Sequence, residues 1–252
     1  MKIKVLSLTE FDNVLKGIVK LVPGCCMEIN GLGAEIKIGA NGKIRAFIKT
    51  TCIKTDDGSE TEICLENVGK LINALAFLKD LNTPEQFNLE TDGIYLSYKE
   101  GQGKFKLKLD KKERVEVYTT LPLKTKFEDV FSFRMNQDNI NFIMKYSNFN
   151  PNFEVNGYFY MKEQQLYIDI DNKQEARLST VSIPLNTQHE GTLDEPVIVD
   201  LQDIKNFSLI DKDKIKVCIA KQCVRVLSYR KVQLDDTEIK TSLEMIVRKL
   251  KG

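Results

Sequence analysis

Few side chains in this chain could do chemistry. His189 is the one histidine among 252 residues, so any imidazole base or histidine ligand must be that residue. No serine or cysteine in a nucleophile setting accompanies it, and a polar loop residue is the plainer reading. The six cysteines, Cys25, Cys26, Cys52, Cys64, Cys218 and Cys223, form no C-x-x-C pair. They are too sparse for a disulfide scaffold and read as buried free thiols in a reducing compartment. Asp169 and Asp171 share one side of a strand, and Asp211-Lys-Asp213 and Asp235-Asp236 are similar pairs. None of these brings a third oxygen ligand at a recognisable spacing. Gly31-Leu-Gly33 and Gly101-Gln-Gly103 look briefly like phosphate loops. Neither continues to Gly-Lys-Ser/Thr, and each sits between strands rather than before a helix. The reading is therefore no catalytic residue, no metal, no cofactor and no enzyme.

The elements that carry these residues are mostly hairpins. Asn41-Gly42, Asp57-Gly58, Asp92-Gly93 and Asn156-Gly157 are strong turn pairs between short alternating segments. Four windows have a helical period instead. Thr9–Leu21 places Phe11, Val14, Leu15, Ile18 and Val19 on one face, with Thr9 as cap. Asn67–Asp80 turns Val68, Leu71, Ile72, Leu75 and Leu78 inward, and Asn136–Ser147 turns Ile140, Ile143 and Met144 inward. Leu201–Ser208 is short, capped by Asp200. The four helices recur at intervals of roughly 60 to 70 residues with about four strands between them, an internal repeat of pattern. Thr119–Asp129, around Leu121-Pro122-Leu123, is the least structured stretch and reads as a linker. Residues 1–118 and 130–252 then form two similar domains.

Composition sets limits. Lys plus Arg is 37 and Asp plus Glu is 36, for a net charge of +1, which argues against holding nucleic acid by bulk charge alone. No run approaches the roughly 18 apolar residues of a membrane span, and the start carries no signal-peptide core, so the expectation is cytoplasmic with no membrane partner. What remains is the polar side of each helix. It carries Asn13, Lys16, Gly17 and Lys20 in the first, Lys70 and Asn73 in the second, Asn141, Lys145 and Asn148 in the third, and Gln202, Lys205 and Asn206 in the fourth. Each joins lysine to neutral amides. Acids gather in the first turns and bases in the last, which the helix dipole favours on any surface helix. Lysine outnumbers arginine 30 to 7, which suits loose phosphate contacts and equally suits an AT-rich genome.

The order of elements in each half is strand, helix, three or four strands, helix, then three or four strands. This order resembles the sliding clamps, the ring-shaped processivity factors of DNA polymerases, and within them the trimeric two-domain clamps, nearest to those of bacteriophages. The resemblance covers nearly the whole chain but rests on no short motif. It implies an α+β DNA clamp fold, two similar domains with antiparallel sheets outside and two helices each on the inner face. It further implies a head-to-tail homotrimer in which Arg114–Tyr118 pairs with Glu175–Pro184 of the next copy. The implied partners are double-stranded DNA read without sequence preference, a DNA polymerase and a clamp loader, in the host cytoplasm if the source is viral. The helix-face residues Asn13, Lys16, Lys20, Lys70, Asn73, Asn141, Lys145, Asn148, Lys205 and Asn206 would face DNA. Leu121, Leu123, Phe127 and Leu250 would form a pocket for partner peptides. The other reading of the same pattern is a ring-forming virion or tail assembly protein that does not slide on DNA.

Overall fold

Alternating hydrophobicity becomes strand almost wherever the sequence shows it. The computed structural model describes residues 1–40, 44–101, 103–119, 127–147, 155–172, 181–185, 187–200 and 215–250. The Asn41-Gly42 turn, Leu121, Leu123, Asn148, Asp211, Asp213 and the expected fourth helix with Lys205 and Asn206 lie outside the described residues. The chain divides into two compact units, Met1–Pro122 with Tyr229–Leu243, and Leu123–Ser228 with Glu244–Gly252.

The first unit runs β1 (Lys2–Val5), α1 (Leu8–Leu21), β2 (Cys25–Asn30), β3 (Gly33–Ala40), β4 (Ile44–Thr50), β5 (Ile53–Thr55), β6 (Thr61–Leu65), α2 (Gly69–Asp80), β7 (Phe87–Thr91), β8 (Tyr95–Glu100), β9 (Gly103–Lys108) and α3 (Lys112–Thr119). One sheet has the order β5-β1-β7-β8-β9. The other has β4-β3-β2-β6, and β18 (Thr237–Arg248) lies beside β4. There the Thr51 amide donates to Lys240, and the hydroxyls of Thr50 and Thr241 meet at 2.8 Å. Ile3, Val5, Phe11, Leu15, Ile18, Met27, Leu71, Leu75, Leu89 and Leu96 are fully buried between sheets and helices. Truncating Phe11 to alanine would cost about 3–5 kcal/mol.

The second unit runs β10 (Asp129–Met135), α4 (Gln137–Ser147), β11 (Val155–Lys162), β12 (Gln165–Asn172), β13 (Val181–Leu185), β14 (His189–Gly191), β15 (Val197–Asp200), β16 (Ile215–Ala220) and β17 (Cys223–Leu234). Its sheets have the orders β14-β10-β16-β17 and β13-β12-β11-β15. Strand for strand this repeats the first: β1 through β9 correspond to β10 through β18, and α1 to α4, while α3 has no counterpart among the described residues. The counterpart of α2 would fall between β15 and β16, outside the described residues. The repeat is thus present in the order of the strands.

Several expectations are corrected. Arg114–Tyr118 is not a strand but part of α3. Lys112, Glu113 and Arg114 are good helix formers, and α3 seats Val115, fully buried, against Cys26 and Cys64. Asn156-Gly157 is not a turn: both lie inside β11, where Gly157 faces Ile170 and Val199 across the ladder. The buried Cys26 and Cys64 are not free thiols but a disulfide. They stand directly opposite in the β2–β6 register, which a spacing of 38 residues does not reveal. His189 leaves the expected loop for a short strand that pairs with β10. Its ring lies 5.4 Å from that of Phe131, and aromatic contact is reason enough for its place there. Ser7, not Thr9, caps α1: its hydroxyl oxygen accepts the Glu10 amide. Thr9 instead donates its hydroxyl and amide to Glu85.

Candidate nucleic-acid interface

Lysine spacing on an amphipathic helix decides which cations reach water, and the fold decides which keep their charge free. On α1, Lys16 and Lys20 are exposed, Asn13 is half-buried and Gly17 is buried. The expected stripe is thus interrupted at Gly17, and Val19, expected on the apolar face, is instead 41% exposed beside Lys20. On α2, Lys70 and Asn73 are exposed together with Ala76, Phe77 and Asp80. On α4, Asn141 and Lys145 are exposed together with Asp138 and Phe142. The two phenylalanines, 46% and 41% exposed, share these faces and were not foreseen. Helical period shows where an apolar residue falls outside the main stripe, but not whether something covers it.

The acids of α1 are withdrawn from its surface. Asp12 is only 3% exposed. Its Oδ2 accepts from Lys16 Nζ at 2.7 Å and from Lys79 Nζ, on α2, also at 2.7 Å. Burial alone would raise the Asp12 carboxyl, but the two ammonium hydrogen bonds and their charges outweigh it and hold the group below its ordinary value. Glu10, 4% exposed, meets Arg230 of the same unit at 3.1 Å. The Asp12–Lys16 pair is an i,i+4 pair readable from sequence. Lys79 escaped sequence reasoning, because nothing in the chain ties it to a residue 67 positions earlier. Lys20, Lys70 and Lys145 enter no ion pair among the described residues. The helix faces therefore present solvated ammonium groups and neutral amides beside two exposed carboxylates, Asp80 and Asp138, and two phenylalanines. The ammonium groups suit delocalised contact with phosphates more than the reading of base edges.

The remaining groups do no evident chemistry. Burial pushes the Cys25 and Cys52 thiols up to about 12 and Cys218 to about 11, so none is a nucleophile near neutral pH. The Asp169 carboxylate accepts hydroxyls from Tyr160 and Ser182. Cys26, Glu62 and Cys64 approach within 4.8 Å of one another. The two sulfurs are bonded together, however, and Glu62 accepts from Lys112. The Gly31–Gly33 turn is a hairpin, with Asn30 Oδ1 accepting the Leu32 and Gly33 amides.

Of the expected peptide pocket, Phe127 and Leu250 are described and stand apart in their surroundings. Phe127 packs beneath the Arg225 guanidinium, 5.5 Å from its ring centre. The Leu250 amide donates to Ile198. Leu250 lines an open cavity of about 930 Å³ with Val130, Tyr158, Leu193, Pro196 and Ile219, rimmed by Lys221 and Lys249. Phe127 is not among the residues lining it.

No family model matches this sequence. No curated protein matches it either. Solved structures do. The chain superposes on Proliferating Cellular Nuclear Antigen from Entamoeba histolytica with a TM-score of 0.71 and 10% identity, over 99% of this chain and 98% of that one. A chain of the PCNA2–PCNA3 complex from Sulfolobus tokodaii matches with 0.68 and 12%, over 99% of both. PCNA of A. fulgidus, solved with the C-terminal region of FEN-1 bound, matches with 0.72 and 13%, over 100% and 99%. None of the three is a phage protein, so nearness to phage clamps stays an expectation of the sequence. At these identities the likeness is one of fold, and it spans the whole chain: the protein has the α+β fold of the sliding clamps.

Proposed function

We infer that this protein is a sliding clamp, a non-enzymatic ring that encircles duplex DNA and tethers a replicative polymerase to it. The observation that carries the reading is the end-to-end match with clamp chains over at least 98% of each chain compared. The internal repeat supports it and suggests how copies join. In the first unit β18 lies beside β4. By the repeat, β18 corresponds to β9 and β4 to β13, and both β9 and β13 are sheet edges. Setting β9 of one copy beside β13 of the next reproduces the in-chain pairing. This is a heterologous, head-to-tail contact, which closes when the rotation per copy is right. Three copies of two clamp domains, 1–118 and 130–252 with a linker at 119–129, give a ring of six. This replaces Arg114–Tyr118 as the joining strand. That the Sulfolobus protein was solved as a complex of two clamp chains fits such a contact.

Lys16, Lys20, Lys70 and Lys145, with Asn13, Asn73 and Asn141, then supply loose phosphate contacts inside the ring. Asn148, Lys205 and Asn206 join them in the same proposal. Weak contacts through long, hydrated lysines let a ring move where tight ones would stall it. Retention is topological, so a net charge of +1 is no obstacle. The Leu250 cavity is the part of the expected peptide pocket that fits a partner segment; a role for Leu121, Leu123 and Phe127 in partner binding belongs to the same proposal. The FEN-1 segment seen on the A. fulgidus clamp fits that role. Polymerase and clamp loader would be the partners here.

The test is retention on DNA. Protein placed by its loader on a nicked circle should stay through gel filtration and leave once the circle is cut. Reversing Lys16, Lys20, Lys70 and Lys145 to glutamate should impair loading or processive synthesis while the oligomer persists. A structural ring protein would show none of this, and loss from intact circles would refute the clamp.

A further inference from the structure

Charges on several strands of this protein are held in ion pairs with nearby strands. On the β2–β3–β4 face, Lys37 meets Glu28 at 3.1 Å and Lys49 meets Glu35 at 2.6 Å. Glu238 takes both Lys231 and Lys240. In the second unit Lys216 meets Glu190, and Arg225 meets Asp129 and Glu244.

The sheet β5-β1-β7-β8-β9 departs from this pattern. Its inward positions are Ile3, Val5, Ile53, Leu89, Leu96 and Tyr98, all buried. Register then places the alternate residues together on the outward face. Lys4 stands opposite Lys54, Lys2 opposite Glu90, Lys99 opposite Lys104, Ser97 opposite Lys106 and Tyr95 opposite Lys108. Seven lysines thus share one sheet face with one strand carboxylate, Glu90. None of the seven is in an ion pair among the described residues. Lys106 rests over the Tyr95 ring at 3.9 Å. The adjoining Asp92 is engaged as a turn cap, accepting the Ile94 and Tyr95 amides. Four of the lysines line a shallow concavity of about 790 Å³ together with the Glu90 and Asp92 carboxylates, Tyr95 and Phe105.

Like charges directly opposite on a sheet disfavour folding, and here two such pairs, Lys4–Lys54 and Lys99–Lys104, face each other. The chemistry of the face indicates its occupant. Protein interfaces centre on aromatic, methionine and arginine anchors and are depleted in lysine. Among the described residues this face has no arginine; Tyr95 is already covered by Lys106, and Phe105, which also lines the concavity, is stacked with Tyr98. A row of ammonium point charges on long stems suits a phosphodiester backbone, which needs charge and no pocket.

We propose that the outward face of the β5-β1-β7-β8-β9 sheet is a second nucleic-acid contact surface, separate from the helix faces, that binds the sugar–phosphate backbone without sequence preference. The site needs no ring, so it stands or falls apart from the clamp reading.

The experiment uses the full chain and a fluorescein-labelled single-stranded oligonucleotide, read by anisotropy between about 50 and 200 mM salt. Lys99→Glu/Lys104→Glu/Lys106→Glu should weaken binding and lower the slope of log K against log salt by about 2, roughly 0.7 for each lost phosphate contact on a single strand. The same loss should appear in a background carrying Lys16→Glu/Lys20→Glu/Lys70→Glu. The matching triple arginine variant should bind as the wild type does. An unchanged slope in the triple glutamate variant overturns the proposal. So does a variant that loses polyglutamate binding yet keeps DNA, because the face would then serve an acidic protein. Retention on nicked circles reports the clamp reading alone, and its failure leaves the anisotropy result standing.

Discussion

Replacing Asp12 by asparagine should move stability and DNA affinity in opposite directions. The Asp12 carboxylate is buried at the α1–α2 contact and holds two ammonium groups at 2.7 Å. Breaking a fully buried ion pair costs about 3–5 kcal/mol, and an exposed one about 0–1 kcal/mol. Here the acid is dry, but the Lys16 and Lys79 side chains are 57% and 36% exposed, so both rehydrate when released. The asparagine keeps the shape and one acceptor, which leaves a loss of about 1–2 kcal/mol. For a chain of this length that is roughly 2–8 °C in melting temperature. The stabilisation also has a pH signature. Because the folded carboxyl titrates below its ordinary 3.8, its contribution is fully present above that value and is lost as pH falls through the depressed one. The melting difference between wild type and variant should therefore shrink only below about pH 4.

The same change adds one net positive charge beside Lys16 and Lys79. If that surface meets phosphates, the salt slope should steepen by up to about 0.9, which at 0.1 M salt is up to about eightfold tighter binding. Thermal melts and oligonucleotide anisotropy on one preparation read both arms. An unchanged melting temperature would show that the carboxylate does not hold the helices together. Weaker or unaltered DNA binding would refute the placement of DNA on the α1–α2 surface.

Other outcomes follow from single contacts. Gly33 has φ +151°, and a Cβ there would meet the Thr50 carbonyl oxygen; Gly33→Ala should cost at least about 1–3 kcal/mol in urea unfolding. Thiol counting under denaturing, non-reducing conditions should give four free cysteines, Cys25, Cys52, Cys218 and Cys223. Reduction should then lower stability by about 4 kcal/mol, from closure of a 38-residue span. Arg230→Ala should destabilise the first unit by about 1–3 kcal/mol, because it strands the buried Glu10; a double-mutant cycle with Glu10→Gln should show coupling above about 0.5 kcal/mol.

Legibility in the sequence followed the range of each interaction. Phe11, Leu15 and Ile18 recur at helical spacing and are all buried, and Asp92-Gly93 marks a turn through hydrogen bonds to amides two and three residues on. Both signals are local. The errors arose where local signals competed or distant ones decided. Ser7 and Thr9 are equally plausible caps, and Glu85, far along the chain, claims the Thr9 hydroxyl. Val115 could belong to a strand or a helix by period alone, and its burial against Cys26 and Cys64 accompanies the helix. The Asn156-Gly157 pair carries a turn signature that two flanking strands override. Cys26 and Cys64 meet only because the β2–β6 register sets them opposite.

The sequence by itself determined the periods, and with them the order of most described elements, because burial of apolar side chains depends on a spacing of two or of 3.6; it missed the short strands β5 and β14 and took part of α3 for a strand. It also limited the chemistry, since a single histidine leaves one residue that could act as an imidazole base or ligand. Only the tertiary structure decided what the charges do. Strand register gathers Lys2, Lys4, Lys54, Lys99, Lys104, Lys106 and Lys108 on one face, and helix packing turns Asp12 and Glu10 inward. A count of 37 against 36 is blind to both, because electrostatic energy depends on the distance between charges and on the water left around them.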